Sequence, residues 1–441
     1  MNGYVDDKNF ALIDFIKEHK DNWEELLKKE PYNLKSIKHC LYHPEWTMFV
    51  YNLFDSKLTD PVVRNCRGVV INTNTYKPVS VPYTKFFGYG DPSGADIEQA
   101  INWANAKVQL KVDGIILKTA CVNEMVADGF EKRLYFFTNG SFDLNAPFED
   151  SLVYDEPATR GAETYGDLLK VALQKINNSV AIHFNKEVGY FYITGGWAEK
   201  IPVGSTLMFE LVSPRNRIIC EYKETKLYLH GYRRPDLVEV DPREEIPKLI
   251  PESVGLIPSV KFEYPELLDA SNFDDLKKLL ATFDGNEKEG CVVVDYTTPG
   301  VPRVKIKCDS YLKLKFARDT SCNSKVLFKA VVFDEYDDLL AAVPAVAPKI
   351  DEIKEVMKKF TSWFVGECLK VGEVCKSSDE KTRKKEWAMW CKENVDRDLF
   401  SYYMLMPGAF GLAKLDKKFE NLATKKNGYD ELKTLVEKIE K

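Results

Sequence analysis

The spacing of hydrophobic positions changes along the chain. Apolar side chains at helical spacing over residues 8–29 predict an amphipathic helix. From about 45 to 120 the pattern is that of strands, in segments that include WTMFVYNLF, CRGVVINT, KPVSVPYTKFF and VQLKVDGIILKTA. After about 318 helical periodicity replaces it, from VLFKAVVFDEYDDLLAAV through PKIDEIKEVMKKFTSWFVGECLKV to the final YDELKTLVEKIEK.

The middle of the chain mixes both patterns. We expect helices near 164–178 and 273–283, a strand pair at 132–143, and strands in STLMFELVS, RIICEY, TKLYLHGYR, GCVVVDY and RVKIK. Because strands and helices do not alternate regularly, the fold class is α+β with mostly antiparallel sheets. The predicted domains are residues 1–320, with a helical lead-in over 1–45, and an all-helical C-terminal domain over 321–441.

Composition restricts the possible partners. The 441 residues carry a net charge of -6, which disfavours non-specific coating of nucleic acid but allows positive charge to be focused in a cleft. No apolar run is long enough to cross a membrane, and the acidic start MNGYVDDKNF does not resemble a signal peptide. The ten cysteines are scattered, so buried free thiols in a reducing compartment are expected. We therefore expect a cytoplasmic protein.

Several ionisable residues interrupt the apolar strand segments. Burying each of them singly would be costly, so their charged faces are expected to converge on one cleft. Lys305 and Lys307 point to the same side of one strand because they are two residues apart. Four of these residues are cations flanking a further lysine, Lys111, which indicates a polyphosphate site. The full set is Arg67, Lys85, Lys111, Glu210, Glu289, Lys305 and Lys307.

Lys111 lies in the segment QLKVDGIILK and has two interpretations. It could flank an Asp-Gly hairpin turn, with no chemical role. Alternatively it is a nucleophile that attacks phosphorus, which requires its pKa to fall by about three units from about 10.4. Neighbouring cations and partial burial are expected to lower the pKa of Lys111. Asp113 and Gly114 would form a tight turn that lets a nucleotide approach the backbone.

The order of these motifs resembles that of the covalent nucleotidyltransferases, the superfamily of ATP-dependent ligases and capping enzymes. The motifs are Lys-x-Asp-Gly at 111–114, Phe-Glu at 209–210, Glu-Gly at 289–290 and Lys-x-Lys at 305–307. Flanking segments make the chain similar to the T4-type RNA ligase 1 family: Tyr51-Asn52, Arg67-Gly68, KFF at 85–87, FELVSPRNRII at 209–219 and KIKCDSY at 305–311. The resemblance covers about 50 to 315, with a fainter similarity at 328–340.

The resemblance implies a role for each matching residue in a nucleotidyltransferase (adenylation) domain. Lys111 would become adenylylated. Other residues would bind ATP: Tyr51, Arg67, Lys85, Phe87, Glu210, and Val292 against the adenine, with Lys305 and Lys307 on the phosphates. Glu210 and Glu289 match two essential glutamates, which orient the ribose or a metal-bound water; Glu289 could thus contact the metal through water.

Two further residues have competing interpretations. Tyr311 matches a tyrosine needed for ligation, although a packed tyrosine at a strand end explains it nearly as well. Asp337 matches a magnesium contact, but Asp337 and Asp338 are more simply the acidic solvent face of a helix.

The chain departs from the family pattern at two positions. Ile115 follows Asp-Gly where serine is common, and Asn139 precedes Gly-Ser where lysine is usual. Losing that lysine would weaken phosphate binding or sealing, unless Lys118 or Lys107 replaces it from a neighbouring strand.

Residues outside these motifs have simpler explanations. His183 and His230 show no partner pattern and are taken as structural. In the basic segment 381–392, Trp387 and Trp390 lie one helical turn apart, which favours a core stripe over an RNA-binding surface.

The resemblance implies an ATP-dependent RNA ligase that joins 5′-phosphate and 3′-hydroxyl ends through lysyl-AMP and RNA-adenylate, with Mg²⁺ or Mn²⁺. The expected substrate is tRNA with a nicked anticodon loop, recognised by the helical C-terminal domain. An end-healing polynucleotide kinase-phosphatase is the expected partner of a monomeric, viral protein in the host cytoplasm. The alternatives are a DNA ligase or GTP-using capping enzyme, which normally carry an added β-barrel, and an inactive RNA-binding relative.

Overall fold

The computed structural model describes residues 10–52, 55–148, 156–176, 179–250, 260–322, 324–333, 347–407, 411–425 and 427–440. The chain divides into two compact units, 1–312 and 313–441. The division falls slightly before residue 320, the predicted end of the first domain, and lies inside a helix that begins at Asp309.

The strands of the first unit form three sheets in which every strand pairing described is antiparallel. One has the order β1-β2-β3-β4, one β12-β11-β10-β6-β7-β9-β8, and one β13-β5-β14-β15. The strands are β1 Ser36–His39, β2 Trp46–Val50, β3 Arg67–Asn72, β4 Lys77–Ser80, β5 Lys107–Leu110, β6 Ile115–Val126, β7 Gly129–Thr138, β8 Ala181–Phe184, β9 Phe191–Thr194, β10 Thr206–Val212, β11 Lys226–Arg233, β12 Glu239–Val240, β13 Leu267–Leu268, β14 Gly290–Val294 and β15 Arg303–Lys307.

Helices accompany the sheets and then replace them, so the α+β class with helices toward the C-terminus is confirmed. The helices are α1 Ala11–Glu18, α2 Trp23–Leu27, α3 Pro61–Asn65, α4 Ala95–Ala100, α5 Tyr165–Ile176, α6 Pro242–Leu249, α7 Phe273–Leu280, α8 Asp309–Cys322, α9 Ser324–Val332, α10 Ala347–Val374, α11 Glu380–Asn394, α12 Arg397–Tyr403, α13 Gly411–Thr424 and α14 Gly428–Ile439. None of these helices combines the length and apolar character that crossing a membrane requires.

Several predicted elements differ from the observed ones, including the following three. The single helix expected over 8–29 is two helices, because α1 ends at Glu18 and α2 begins at Trp23. The strand pair expected at 132–143 is one strand, β7, which ends at Thr138. The segment RIICEY, 217–222, is not a strand, because the amides of Ile219 and Cys220 donate to a side chain, that of Asp113, instead of to a neighbouring strand.

The seven-stranded sheet is buried on both faces. Leu117, Phe136 and Phe209 pack on one face, in a hydrophobic cluster that includes residues of α5 and α6. Ala120 and Phe137 face the opposite way, in a cluster shared with β2 and β3. The central strands of this sheet are therefore enclosed between two hydrophobic clusters.

The second unit is helical in its described residues and has a separate core. Trp387 is fully buried and donates from Nε1 to the carbonyl of Tyr403 at 2.7 Å, while Trp390 stacks on it at 5.1 Å. The interpretation of these tryptophans as a core stripe is confirmed. The nine cysteines whose side chains are described are all free, and eight are buried.

Candidate active site

The segment 111–114 connects two different sheets. It leaves β5 of one four-stranded sheet and enters β6 of the seven-stranded sheet, so the hairpin interpretation of Lys111 is wrong. The Lys111 amide donates to the carbonyl of Gly290 at 2.9 Å. At Gly114 a Cβ would lie 2.4 Å from the carbonyl oxygen of Leu211, so only glycine fits against β10. Both ends of the segment are therefore fixed.

Asp113 anchors this segment to the rest of the first unit. Its carboxylate is buried and accepts three hydrogen bonds, from the amides of Ile219 and Cys220 at 2.9 and 3.0 Å and from the Tyr311 hydroxyl at 2.8 Å. The Tyr222 hydroxyl accepts from the Asp113 amide at 2.9 Å. Asp113 is thus more than a turn former, because it joins the lysine segment to 219–222 and to α8.

Tyr311 lies in the first turn of α8, and only 1% of it is exposed. Its hydroxyl is occupied by Asp113, and the Lys307 ammonium lies 5.0 Å from its ring centroid. The geometry gives Tyr311 a packing and anchoring role beside the site.

The nearest charged neighbours of the Lys111 ammonium are carboxylates. Glu289, which is 2% exposed, accepts from Lys111 Nζ at 2.6 Å and contacts Lys307 Nζ at 2.8 Å through its other oxygen. Burial lowers the pKa of Lys111, but the charges of Glu289, Glu210 and Asp113 outweigh burial and raise the pKa above its ordinary value. The expectation of a lowered pKa was therefore wrong, because it counted the cations and not these nearer carboxylates.

The lysine whose pKa is lowered by the neighbouring cations is Lys305. Burial, together with the charges of Lys85, Arg67, Lys111 and Lys307, lowers the pKa of Lys305 to about 8. Burial and the charge of Arg67 also lower the pKa of Lys85. The predicted convergence of these cations is supported by the fact that the other four all act on Lys305.

A cavity of about 190 Å³ opens beside Lys111. Arg67, Glu210 and Val292 line it together with Lys111, in agreement with the sequence prediction. The other lining residues are Tyr83, Phe86, Gln109, Leu110, Val112, Gly114, Ile116, His230, Pro265, Val294 and Arg303. The Arg67 guanidinium carries a buried nitrogen, Nη1, without a hydrogen-bond partner among the described residues, so it has capacity to bind a ligand.

Sequence reasoning missed some polar residues of this cavity. Gln109 and His230 each interrupt an apolar strand, which is the signal that identified the charged residues. Gln109 was not identified because it is uncharged, and His230, which was taken as structural, is placed among the lining residues. His183 is consistent with a structural role, since it stacks on Tyr192 at 4.6 Å and contacts the Thr194 hydroxyl.

Five predicted ATP ligands are not among the described residues that line this cavity: Tyr51, Lys85, Phe87, Lys305 and Lys307. Tyr51 is half-buried and packs against the hydrophobic cluster beneath β2 and β3. Phe87 is buried, with Arg64 and Lys85 over its ring at 5.3 and 4.3 Å. Lys85 instead lines a small adjoining cavity of about 30 Å³, which shares Phe86 with the larger one.

The two lysines on β15 are close to the site although they do not line the cavity. Lys305 pairs with Val292 across the strands, and its Nζ lies 5.6 Å from the Phe86 ring centroid. Lys307 is tied to Glu289, as described above. Asp337 lies outside the described residues.

Asn139 and Lys118 both lie close to the Arg67-Gly68 step. A Cβ on Gly68 would lie 2.8 Å from both Lys118 Nζ and Asn139 Cα. Lys118 is fully buried and donates to the Thr138 carbonyl at 2.8 Å. Burial and Arg67 lower the pKa of Lys118 well below its ordinary value. Lys107 is bound elsewhere, to Asp241.

The carboxylates of the site suit a magnesium ion that is shared with a ligand. Within the described ranges no group of three or more metal-ligating side chains is found. Mg²⁺ is usually held by one or two carboxylates together with substrate phosphates and water. Glu210, which lines the cavity, fits that description, whereas both oxygens of Glu289 already contact ammonium groups and would have to exchange one of them for a metal or its water.

These features define a class: a site with converging cations and carboxylates around one lysine, which suits a polyphosphate ligand. A model of the T4-type RNA ligase 1 family, described as RNA ligase, matches residues 65–320. Because the match exceeds half of the 441 residues, the chain belongs to this family. Membership implies ligase activity with RNA as the substrate.

Two relatives support this assignment. An RNA ligase of Rhodothermus phage RM378 is 26% identical over 384 residues, covering 78% of this chain and 80% of the phage protein. A protein of Autographa californica nuclear polyhedrosis virus, named as a bifunctional polynucleotide kinase/RNA ligase, is 25% identical over 321 residues. That match covers 71% of this chain but only 39% of the viral protein, so the chain spans well under half of that relative.

Proposed function

We propose that this RNA ligase is ATP-dependent and forms a covalent adenylate on Lys111. The observation that carries the proposal is the position of the Lys111 amine. It borders the cavity of about 190 Å³, on a segment fixed at both ends, with Glu289 at 2.6 Å and several cations nearby.

The proposed reaction has three steps: two transfers of the adenylyl group, followed by the joining of the two RNA ends. The Lys111 nitrogen attacks the α-phosphorus of ATP, an N–P bond forms, and the P–O bond to pyrophosphate breaks. The ammonium must first lose a proton, and we infer that the Glu289 carboxylate accepts it. A 5′-phosphate oxygen of RNA then takes the adenylyl group from nitrogen. Finally the RNA 3′-hydroxyl attacks that 5′-phosphorus and AMP leaves.

The cations provide the electrostatic part of this proposal. Arg67, Lys85, Lys305 and Lys307 would bind the phosphates and stabilise the charge that develops on the leaving pyrophosphate. Bound Mg²⁺ or Mn²⁺ would neutralise the triphosphate. Glu289 or Glu210 would contact the metal directly or through water, and Asp337 is a further candidate ligand.

We further propose that the substrate is RNA with 5′-phosphate and 3′-hydroxyl ends, specifically tRNA nicked in the anticodon loop. The helical second unit would recognise this RNA. The kinase/ligase name of the baculovirus relative supports the idea that an end-healing kinase-phosphatase acts before this ligase. Relatives from a virus and a phage support a viral origin and action in the host cytoplasm.

Incubation with labelled ATP or GTP tests the chemistry. We expect a covalent AMP adduct that requires a divalent metal and is lost in Lys111→Ala. Lys77→Ala, at an exposed lysine on β4, is the matched control and should keep the adduct. Absence of any adduct from the native protein would favour the inactive relative, and an adduct with GTP alone would favour a capping enzyme. Sealing of nicked tRNA stem-loops, compared with linear RNA, tests the substrate.

A further inference from the structure

His230 lies at an irregularity in the pairing of β10 with β11. Met208 pairs with Gly231 and Phe209 pairs with Leu229, so His230 is left without a partner residue on β10. Such a bulge resets which side chains face which side of a sheet. Leu229 and Tyr232 consequently both pack in the hydrophobic cluster with α5, whereas His230 lines the cavity.

Tyr83 reaches His230 because the next residue is a glycine. A Cβ on Gly231 would lie 2.4 Å from the Tyr83 hydroxyl, so any larger residue would displace that side chain. The hydroxyl is hydrogen-bonded to Nδ1 of His230. Burial raises the pKa of Tyr83 well above its ordinary value, so the hydroxyl keeps its proton and is available to donate it to Nδ1.

The tautomer of His230 follows from that hydrogen bond. With Nδ1 accepting, the ring proton lies on Nε2. Nε2 is buried and has no hydrogen-bond partner within the described part of the chain, and it lies 3.4 Å from Oε2 of Glu210. An N–H group at Nε2 would thus lie close to a carboxylate that lines the same cavity, although the two groups form no hydrogen bond in this structure. A small movement of Glu210 on ligand binding would complete the contact.

We propose that Tyr83 and His230 form a relay that orients the Glu210 carboxylate toward the bound nucleotide. A carboxylate only accepts hydrogen bonds, so Glu210 can hold hydroxyl donors such as those of a ribose. Fixing one of its oxygens through His230 leaves the other directed at the ligand. His230 is therefore a positioning residue that acts through Glu210. This inference rests on the proposed binding of ATP in the cavity.

Equilibrium binding of a non-hydrolysable ATP analogue by calorimetry provides the test. His230→Leu, which keeps the size but removes both nitrogens, should weaken binding by about tenfold, as expected for a lost hydrogen bond to a charged group. His230→Gln keeps an N–H near the position of Nε2 and should recover most of the affinity. Tyr83→Phe should weaken binding in the native background but not in His230→Leu. His183→Gln, on β8 outside the cavity, is the control.

The outcomes separate this inference from the proposed function. If the native protein binds the analogue and His230→Leu binds it equally well, the relay is refuted and the proposed function stands. If His230→Gln is as weak as His230→Leu, the ring has only a packing role and the relay is also refuted. If the native protein binds no ATP analogue, the proposed function itself fails. Should His230→Leu not fold, Tyr83→Phe and His230→Gln still decide the matter.

Discussion

The lowered pKa of Lys305 predicts that ATP affinity depends on pH. The lysine must be protonated to hold a phosphate, and in the protein alone its pKa is about 8. A bound triphosphate would restore its charge, so binding takes up a proton. The apparent dissociation constant then scales with the fraction of protonated Lys305, which falls from about nine-tenths at about pH 7 to about one-tenth at about pH 9. Affinity should therefore weaken by about tenfold over this interval.

Calorimetric titration with a non-hydrolysable ATP analogue measures both consequences. Affinity should decline above about pH 8, and repeating the titration in buffers of different ionisation enthalpy should show proton uptake. Lys305→Arg is the matched variant, because guanidinium stays charged throughout this range. It should bind with affinity that hardly changes with pH. A native protein whose affinity is constant from about pH 7 to about pH 9, or a Lys305→Arg profile identical to the native one, would refute the reasoning.

Two further variants test the anchoring of the lysine segment, and a third tests the protonation of Lys111. Gly114→Ala places a methyl group against the main chain of the neighbouring strand and should lower the free energy of unfolding by about 1–3 kcal/mol in a denaturant titration. Tyr311→Phe removes a hydroxyl from Asp113 and leaves a buried carboxylate oxygen unsatisfied, so it should cost about 1–3 kcal/mol in the same assay. Glu289→Gln removes the nearest charge that raises the pKa of Lys111, so this amine should react faster with an amine-selective reagent near neutral pH.

For each of these predictions there is a result that would contradict it. Unfolding curves of Gly114→Ala or Tyr311→Phe that superimpose on the native curve would show that the contacts contribute nothing to stability. For Glu289→Gln, peptide mapping should identify faster modification at position 111, and the exposed Lys77 serves as the reference. Unchanged or slower labelling at Lys111 would mean that the carboxylate does not control its protonation.

Most of the strands and helices could be predicted from the spacing of apolar residues. Strands such as β3 and β10 are predicted because they are short continuous apolar runs, as expected for strands buried on both faces. The helical tail is predicted from its helical periodicity. The segment 217–222 was misassigned because its β-branched residues suggest a strand, whereas the tertiary contact with Asp113 determines its backbone. Periodicity carries no information about such a contact between distant parts of the chain.

The site was predicted less completely, for physical reasons. Charged residues within apolar strands led to Arg67, Glu210 and Lys111, which do line one cavity. The sequence could not give the sign of the pKa shift of Lys111, since that sign depends on whether cations or carboxylates are nearer. The position of His230 at the cavity could not be predicted because it depends on a strand bulge, which is a property of pairing between two strands.

The most direct test of the account is to locate the adenylate by peptide mapping after incubation with ATP and magnesium. The account predicts a single AMP group on the peptide that contains Lys111, because geometry rather than the lowest pKa selects the nucleophile. An adduct on Lys305, the lysine whose pKa is about 8, with Lys111 unmodified, would contradict it.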